Sequence, residues 1–104
     1  MVSRSTIGES KDSEKLVERK LVELIKQNGG LCIKLLTNQF TGLPDRMCLL
    51  PQGKLIFVEL KTTGAKPRKV QLCVHNMLRK IGFRVEVIDS VSGVKALIEE
   101  LIKK

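Results

Sequence analysis

Apolar residues recur at helical spacing in three stretches of this chain and at strand spacing in the stretches between them. Val17, Leu21, Leu24 and Ile25 form the first stripe. They predict a helix capped by Asp12 or Ser13, running to about Asn28 and stopped by Gly29 and Gly30. Three strand-like runs follow: residues 31–36, residues 46–50 after a polar loop over 37–43, and residues 54–61. Pro51, Gln52 and Gly53 supply turn chemistry between the last two. The run over 54–61 is apolar on both faces and predicts a central, covered strand.

Pro67 suits the first turn of a second helix. That helix carries the stripe Val70, Cys73, Val74, Met77, Leu78 and Ile81, and Gly82 ends it. Residues 83–88 alternate as a half-covered strand does. Val94, Leu97, Ile98, Leu101 and Ile102 complete a third helix. The predicted order is αβββαβα, an α/β fold with a small mixed β-sheet flanked by helices. Residues 1–12 read as a flexible N-terminus and 13–104 as one domain.

Charge narrows the partners. The 104 residues carry 19 Lys and Arg against 11 Asp and Glu, a net charge of +8, with no Trp or Tyr and three Phe. A basic domain of this size points to nucleic acid. The scarcity of aromatic platforms argues for gripping phosphates and against stacking bases. No apolar run approaches the roughly 20 residues of a membrane-spanning helix, so no membrane partner is expected. Residues 1–13 are polar and lack the apolar core of a signal peptide. Cys32, Cys48 and Cys73 sit among apolar neighbours and read as small buried hydrophobes in a reducing compartment, the cytoplasm. The single His75 reads as an ordinary surface histidine.

The sharpest chemistry lies on the third strand. Leu55, Phe57, Glu59 and Lys61 share one face by alternation. If residues 51–53 form the turn, Leu50 faces Lys54 and Asp45 falls opposite Glu59. Opposed Cβ atoms lie about 4.5–5.5 Å apart. Carboxylates so close need a proton or a cation between them, and a hard divalent ion such as Mg²⁺ suits them. The bland alternative is a turn aspartate and an exposed Glu59–Lys61 pair. On helix 1, Glu14 falls within the apolar stripe and Glu18 on its edge, so each needs an open helix end, a partner or a metal.

Gly42, Leu43, Pro44, Asp45 and Arg46, followed by Phe57, Val58, Glu59, Leu60 and Lys61 and then Gln71, resemble the PD-(D/E)xK nuclease superfamily. More narrowly the chain resembles its virus-type replication-repair nuclease (VRR-NUC) family, in the stand-alone, phage-type form. Glu18 with Gly29 and Gly30, Lys34, residues 51–53, Pro67, and Gly82 with residues 87–89 extend the likeness over nearly the whole chain.

The resemblance implies a restriction-endonuclease-like core and a metal-dependent deoxyribonuclease. Asp45, Glu59 and the backbone carbonyl of Leu60 would hold Mg²⁺ or Mn²⁺. Glu18 would join them from helix 1, with Glu14 one turn earlier as the alternative. Lys61 would orient the attacking water, and Gln71 would orient Lys61 or the phosphate. Lys66, Arg68 and Lys69, with Lys34, would contact DNA. Arg46 points away from Asp45 and reads as structural, while Lys95, Lys103 and Lys104 read as a solvated face. The implied function is a homodimeric Holliday-junction resolvase in a bacterial or phage-infected cell. The alternatives are a flap, nick or restriction nuclease subunit, and a non-catalytic basic DNA-binding module.

Overall fold

Ser13 caps the first helix, its hydroxyl accepting a hydrogen bond from Leu16 N at 3.1 Å. The computed structural model describes residues 11–36 and 38–103. Helix α1 spans Glu14–Gln27 and the chain turns at Gly29, whose φ is +80°. Strand β1 (Leu31–Lys34), strand β2 (Arg46–Leu50) and strand β3 (Lys54–Leu60) follow. A short 3₁₀ turn, Pro51–Gly53, joins β2 to β3. Helix α2 (Lys69–Lys80), strand β4 (Arg84–Ile88) and helix α3 (Val91–Ile102) complete the chain. The αβββαβα order and the mixed sheet agree with the sequence expectation.

The sheet runs β1-β2-β3-β4. β1 to β3 are antiparallel neighbours, and β4 lies parallel to β3. Leu50 pairs with Lys54 and Arg46 with Val58, so the register is the one the 51–53 turn implied. One face of the sheet presents Cys48, Leu50, Ile56, Val58, Leu60 and Ile88 to α1 and α3. Val17, Leu21 and Ile25 of α1 meet Val94, Leu97, Ile98 and Leu101 of α3 over that face. Fully burying a side chain of this size contributes roughly 1.5–3 kcal/mol, so this layer carries most of the stability.

The other face carries Glu59, and α2 lies over it. Here the structure departs from the apolar stripe. The buried side chains of α2 are Gln71, Val74 and His75, whereas Val70, Cys73, Met77 and Ile81 are exposed, Ile81 at 71%. The helix is rotated so that its polar residues meet the buried carboxylate. Pro67 also precedes the helix, whose N-cap is Arg68.

Two further expectations change. Cys73 is exposed, while Cys48 is buried and Cys32 half-buried. Cys32 and Cys48 face each other across β1 and β2 with Sγ atoms 3.8 Å apart. Asp12, at the edge of the expected flexible segment, is tied down. Its carboxylate accepts from Val91 N at 2.7 Å, and its backbone exchanges hydrogen bonds with Thr63. That clasp fixes the chain immediately after Lys61. Residues 1–10 of the expected flexible segment lie outside the described residues.

Candidate active site

The β2–β3 ladder closes at Arg46 opposite Val58, so the next residues outward are Asp45 and Glu59. Asp45 stays in line through its side chain, whose Oδ2 accepts from Leu60 N at 2.7 Å. Its carbonyl accepts from Leu35 N at 2.8 Å. Both sides of the residue are thereby fixed.

Glu59 is 1% exposed. Its Oε2 accepts from Gln71 Nε2 at 2.7 Å and stands 3.3 Å from Lys61 Nζ. Lys61 in turn donates to Gln71 Oε1 at 3.1 Å, and the same oxygen accepts from Arg68 N at 2.8 Å. One amide thus holds the carboxylate, the ammonium and the first turn of α2 together. The second carboxylate oxygen, Oε1, faces His75 Nε2 at 3.5 Å, longer than a well-formed hydrogen bond. Glu59 Oε1 and both imidazole nitrogens have no hydrogen-bond partner among the described residues.

Burial first, and the Asp45 charge second, push the Glu59 carboxyl up to about 7 against the pull of Lys61. Glu14 adds a smaller repulsion of the same sign. His75 is shifted the other way, below the usual imidazole range, by burial and then by the charges of Arg79 and Lys61. It is therefore a buried ring whose charged form is disfavoured, and not the surface histidine the sequence suggested. The signal was available: His75 stands four residues after Gln71, on the same helical face.

Glu18 stands apart from this cluster. The Arg46 guanidinium holds its Oε2 through Nε at 3.0 Å and Nη2 at 2.8 Å, and also donates to the Cys32 carbonyl. Arg46 pairs with Val58, on the sheet face opposite Glu59. Of the two helical carboxylates, Glu14 is the one whose charge is felt at Glu59. Lys66, Arg68 and Lys69 are exposed in the segment leading from Lys61 into α2, and Lys34 is exposed at the end of β1.

Among the described residues no three His, Cys, Asp or Glu side chains gather closely enough to enclose a metal. A hard divalent ion does not need such a cage, because one or two carboxylates with water and phosphate oxygens suffice for Mg²⁺. Asp45 and Glu59 supply oxygen donors, and Glu59 Oε1 retains unspent acceptor capacity. The donor set fits the group.

No family model matches the chain. "Putative nuclease p44" of Acyrthosiphon pisum secondary endosymbiont phage 1 is 42% identical over 77 residues, covering 74% of this chain and 83% of that protein. A solved structure described as a VRR_NUC domain is similar with a TM-score of 0.79 and 37% identity, covering 85% of this chain and 96% of that one. The chain belongs to the VRR-NUC family. It is a VRR-NUC nuclease domain, and the restriction-endonuclease-like sheet is the frame of that family. Among the described residues no helix is long and apolar enough to cross a membrane.

Proposed function

We propose that this VRR-NUC domain is a metal-dependent endonuclease that hydrolyses phosphodiester bonds in branched DNA, as a homodimer acting on Holliday junctions. The observation that carries the reading is the buried Glu59 carboxylate beside Asp45, braced by Gln71 and Lys61. A DNA tether has no need of a buried acid kept under electrostatic pressure, which favours catalysis over the binding-module alternative.

Asp45, Glu59 and the Leu60 carbonyl would hold Mg²⁺ or Mn²⁺, with Glu14 as the helical carboxylate. The ion would supply acidification of the attacking water and compensation of the charge that builds on the phosphate. Lys61 orients that water and stabilises the developing negative charge. Gln71 keeps the ammonium in place through its Oε1. Lys66, Arg68, Lys69 and Lys34 grip flanking phosphates. The water oxygen would bond to phosphorus as the bond to the 3′ oxygen breaks, and the 3′ oxygen would take up a proton from solvent, leaving a 5′-phosphate and a 3′-hydroxyl. Two features favour a dimer: a four-way junction offers two symmetric cuts, and α2 turns Cys73, Met77 and Ile81 outward. A reducing cytoplasm, bacterial or phage-infected, agrees with the unbridged cysteines and the phage relative.

The test is a cleavage panel. Purified protein with Mg²⁺ or Mn²⁺ should cut a labelled four-way junction in preference to a flap, a nicked duplex and a linear duplex, and EDTA should stop it. Preference for the flap or the nick moves the reading to the repair-type alternative. Binding without cutting in either metal moves it to the non-catalytic module. Micromolar protein should have the mass of two chains, and a monomer that cleaves junctions removes the dimer.

The helical ligand has its own prediction. Glu14→Gln should weaken Mn²⁺ binding about tenfold or more. Glu18→Gln should leave Mn²⁺ affinity nearly unchanged and cost about 1 kcal/mol of stability, since it breaks a half-exposed pair with Arg46. Manganese titration and thermal melts of the two variants decide it, and the reverse pattern returns Glu18 to the site.

A further inference from the structure

His75 is the buried polar group that the proposed chemistry leaves unused. It is the chain's single histidine and is 0% exposed. An imidazole buried without a partner is destabilising relative to a satisfied one. An apolar residue would fill the same space without that cost. The polar atom that faces it is Glu59 Oε1, at 3.5 Å from Nε2, and that oxygen is itself unpartnered. Two buried, unsatisfied atoms therefore look at each other across a gap slightly longer than a hydrogen bond.

We infer that His75 is a positioning residue for Glu59, its Nε2–H aimed at Oε1 so that the carboxylate is fixed at both oxygens while Oε1 keeps a lone pair for the cation. Gln71 fixes Oε2 from one position of α2, and His75, one turn later, fixes the side chain's rotation about its last bond. With only Oε2 held, the carboxylate can swing about that contact. With both held, its outward lone pairs are pre-set before any ion arrives, which lowers the cost of binding. The charges facing the ring from its surroundings are Glu59 and Lys61 of β3 and its exit, Asp45, and Arg79 of α2. The ring nitrogen that faces Oε1 is Nε2, so geometry selects Nε2 as the donor. The inference rests on Glu59 being a metal ligand, as proposed above.

Two measurements test it. In wild-type protein, long-range ¹H–¹⁵N correlation of the single histidine should show the neutral Nε2–H tautomer, and Mg²⁺ should move its Nε2 resonance. A Nδ1–H tautomer overturns the inference, and so does an Nε2 resonance that stays put while Mg²⁺ is bound. Manganese affinity without DNA, read from free Mn²⁺ by electron paramagnetic resonance, gives the second arm. His75→Gln places a donor close to the Nε2 position and should bind within about threefold of wild type. His75→Asn places its donor nearer Nδ1 and should bind about 10–100-fold more weakly, as should His75→Leu. A folded His75→Leu protein with wild-type affinity reduces His75 to packing and overturns the inference. Should the Leu and Asn variants fail to fold, the wild-type tautomer decides. Wild type that binds no Mn²⁺, or Glu59→Ala that binds it normally, overturns instead the metal-site reading on which this rests.

Discussion

Glu59→Gln should lower metal-dependent DNA cleavage on the order of 10³-fold while raising the melting temperature of the metal-free protein at pH 8. The two effects have opposite signs because one carboxylate serves two accounts. In the fold it is a buried charge beside Asp45, pushed up to about 7 from the ordinary carboxylate value of 4.5. A carboxyl whose folded value is raised contributes stability that is fully present below about pH 4.5 and is lost as pH climbs through 7. At pH 8 the wild type bears the whole cost of ionising there, and the neutral amide does not. The amide can still present an oxygen to Gln71 and Lys61, which hold Oε2 in the wild type, and its NH2 then faces His75, whose ring accepts by moving its proton to Nδ1. The stability gain should therefore shrink steadily from pH 8 towards pH 4.5. Millimolar Mn²⁺ should stabilise the wild type and leave the variant unmoved, since only a bound ligand shifts the melt. Thermal melts across pH and a junction-cleavage time course check both halves. Wild-type cleavage by the variant ends the assignment of Glu59, and a lower melting temperature at pH 8 ends the account of its burial.

Much of this site could be read from the chain because strands carry their geometry in their spacing. With residues 51–53 as the turn, alternation alone sets Asp45 beyond Arg46 and Glu59 beyond Val58, and the ladder has that register. Helix α2 departs from its own periodicity for a physical reason. Periodicity assumes that the apolar side faces inward, but the surface under α2 holds an acid, so Gln71 and His75 turn in and Met77 and Ile81 turn out. A functional site is where local and global preferences are expected to conflict. The choice between Glu14 and Glu18 was beyond the sequence for another reason. Both lie on nearly one face of α1, and what separates them is the reach of Arg46 from β2 across the sheet–helix gap. Such distances arise from tertiary packing and leave no periodic trace. The motif around Pro44 was legible only by resemblance, and the structure supplies its physical cause at Gly42.

Gly42→Ala should destabilise the protein by about 2–5 kcal/mol and weaken the site, although the atoms an added Cβ would meet first belong to Val70 and Val74. Its φ is +95°, and a Cβ built there would lie 2.7 Å from the Val70 carbonyl oxygen and 2.8 Å from Val74 Cγ2. The backbone conformation alone costs an alanine about 1–2 kcal/mol. The clash adds a further cost of about 1–3 kcal/mol, because the first atom met is helix backbone, which cannot move aside as a flexible side chain could. Against a total stability of roughly 5–15 kcal/mol the loss is large, and at about 4–8 °C per kcal/mol the melting temperature should fall by about 8–40 °C. Gly82→Ala is the matched control, with φ +104° and nothing within 4 Å of the added atom. It carries the conformational cost without the clash. What the clash moves is the first turn of α2, and with it Gln71 and, one turn later, His75. Their hold on Glu59 depends on a 2.7 Å hydrogen bond and a 3.5 Å approach, neither of which survives a shift of an ångström. Manganese affinity should therefore fall in Gly42→Ala under conditions where it remains folded, and stay at the wild-type value in Gly82→Ala. Melting temperatures of the two variants within 3 °C of each other would mean that the helix yields freely, and that Gly42 serves the turn and not the spacing between α2 and the strand that carries Glu59.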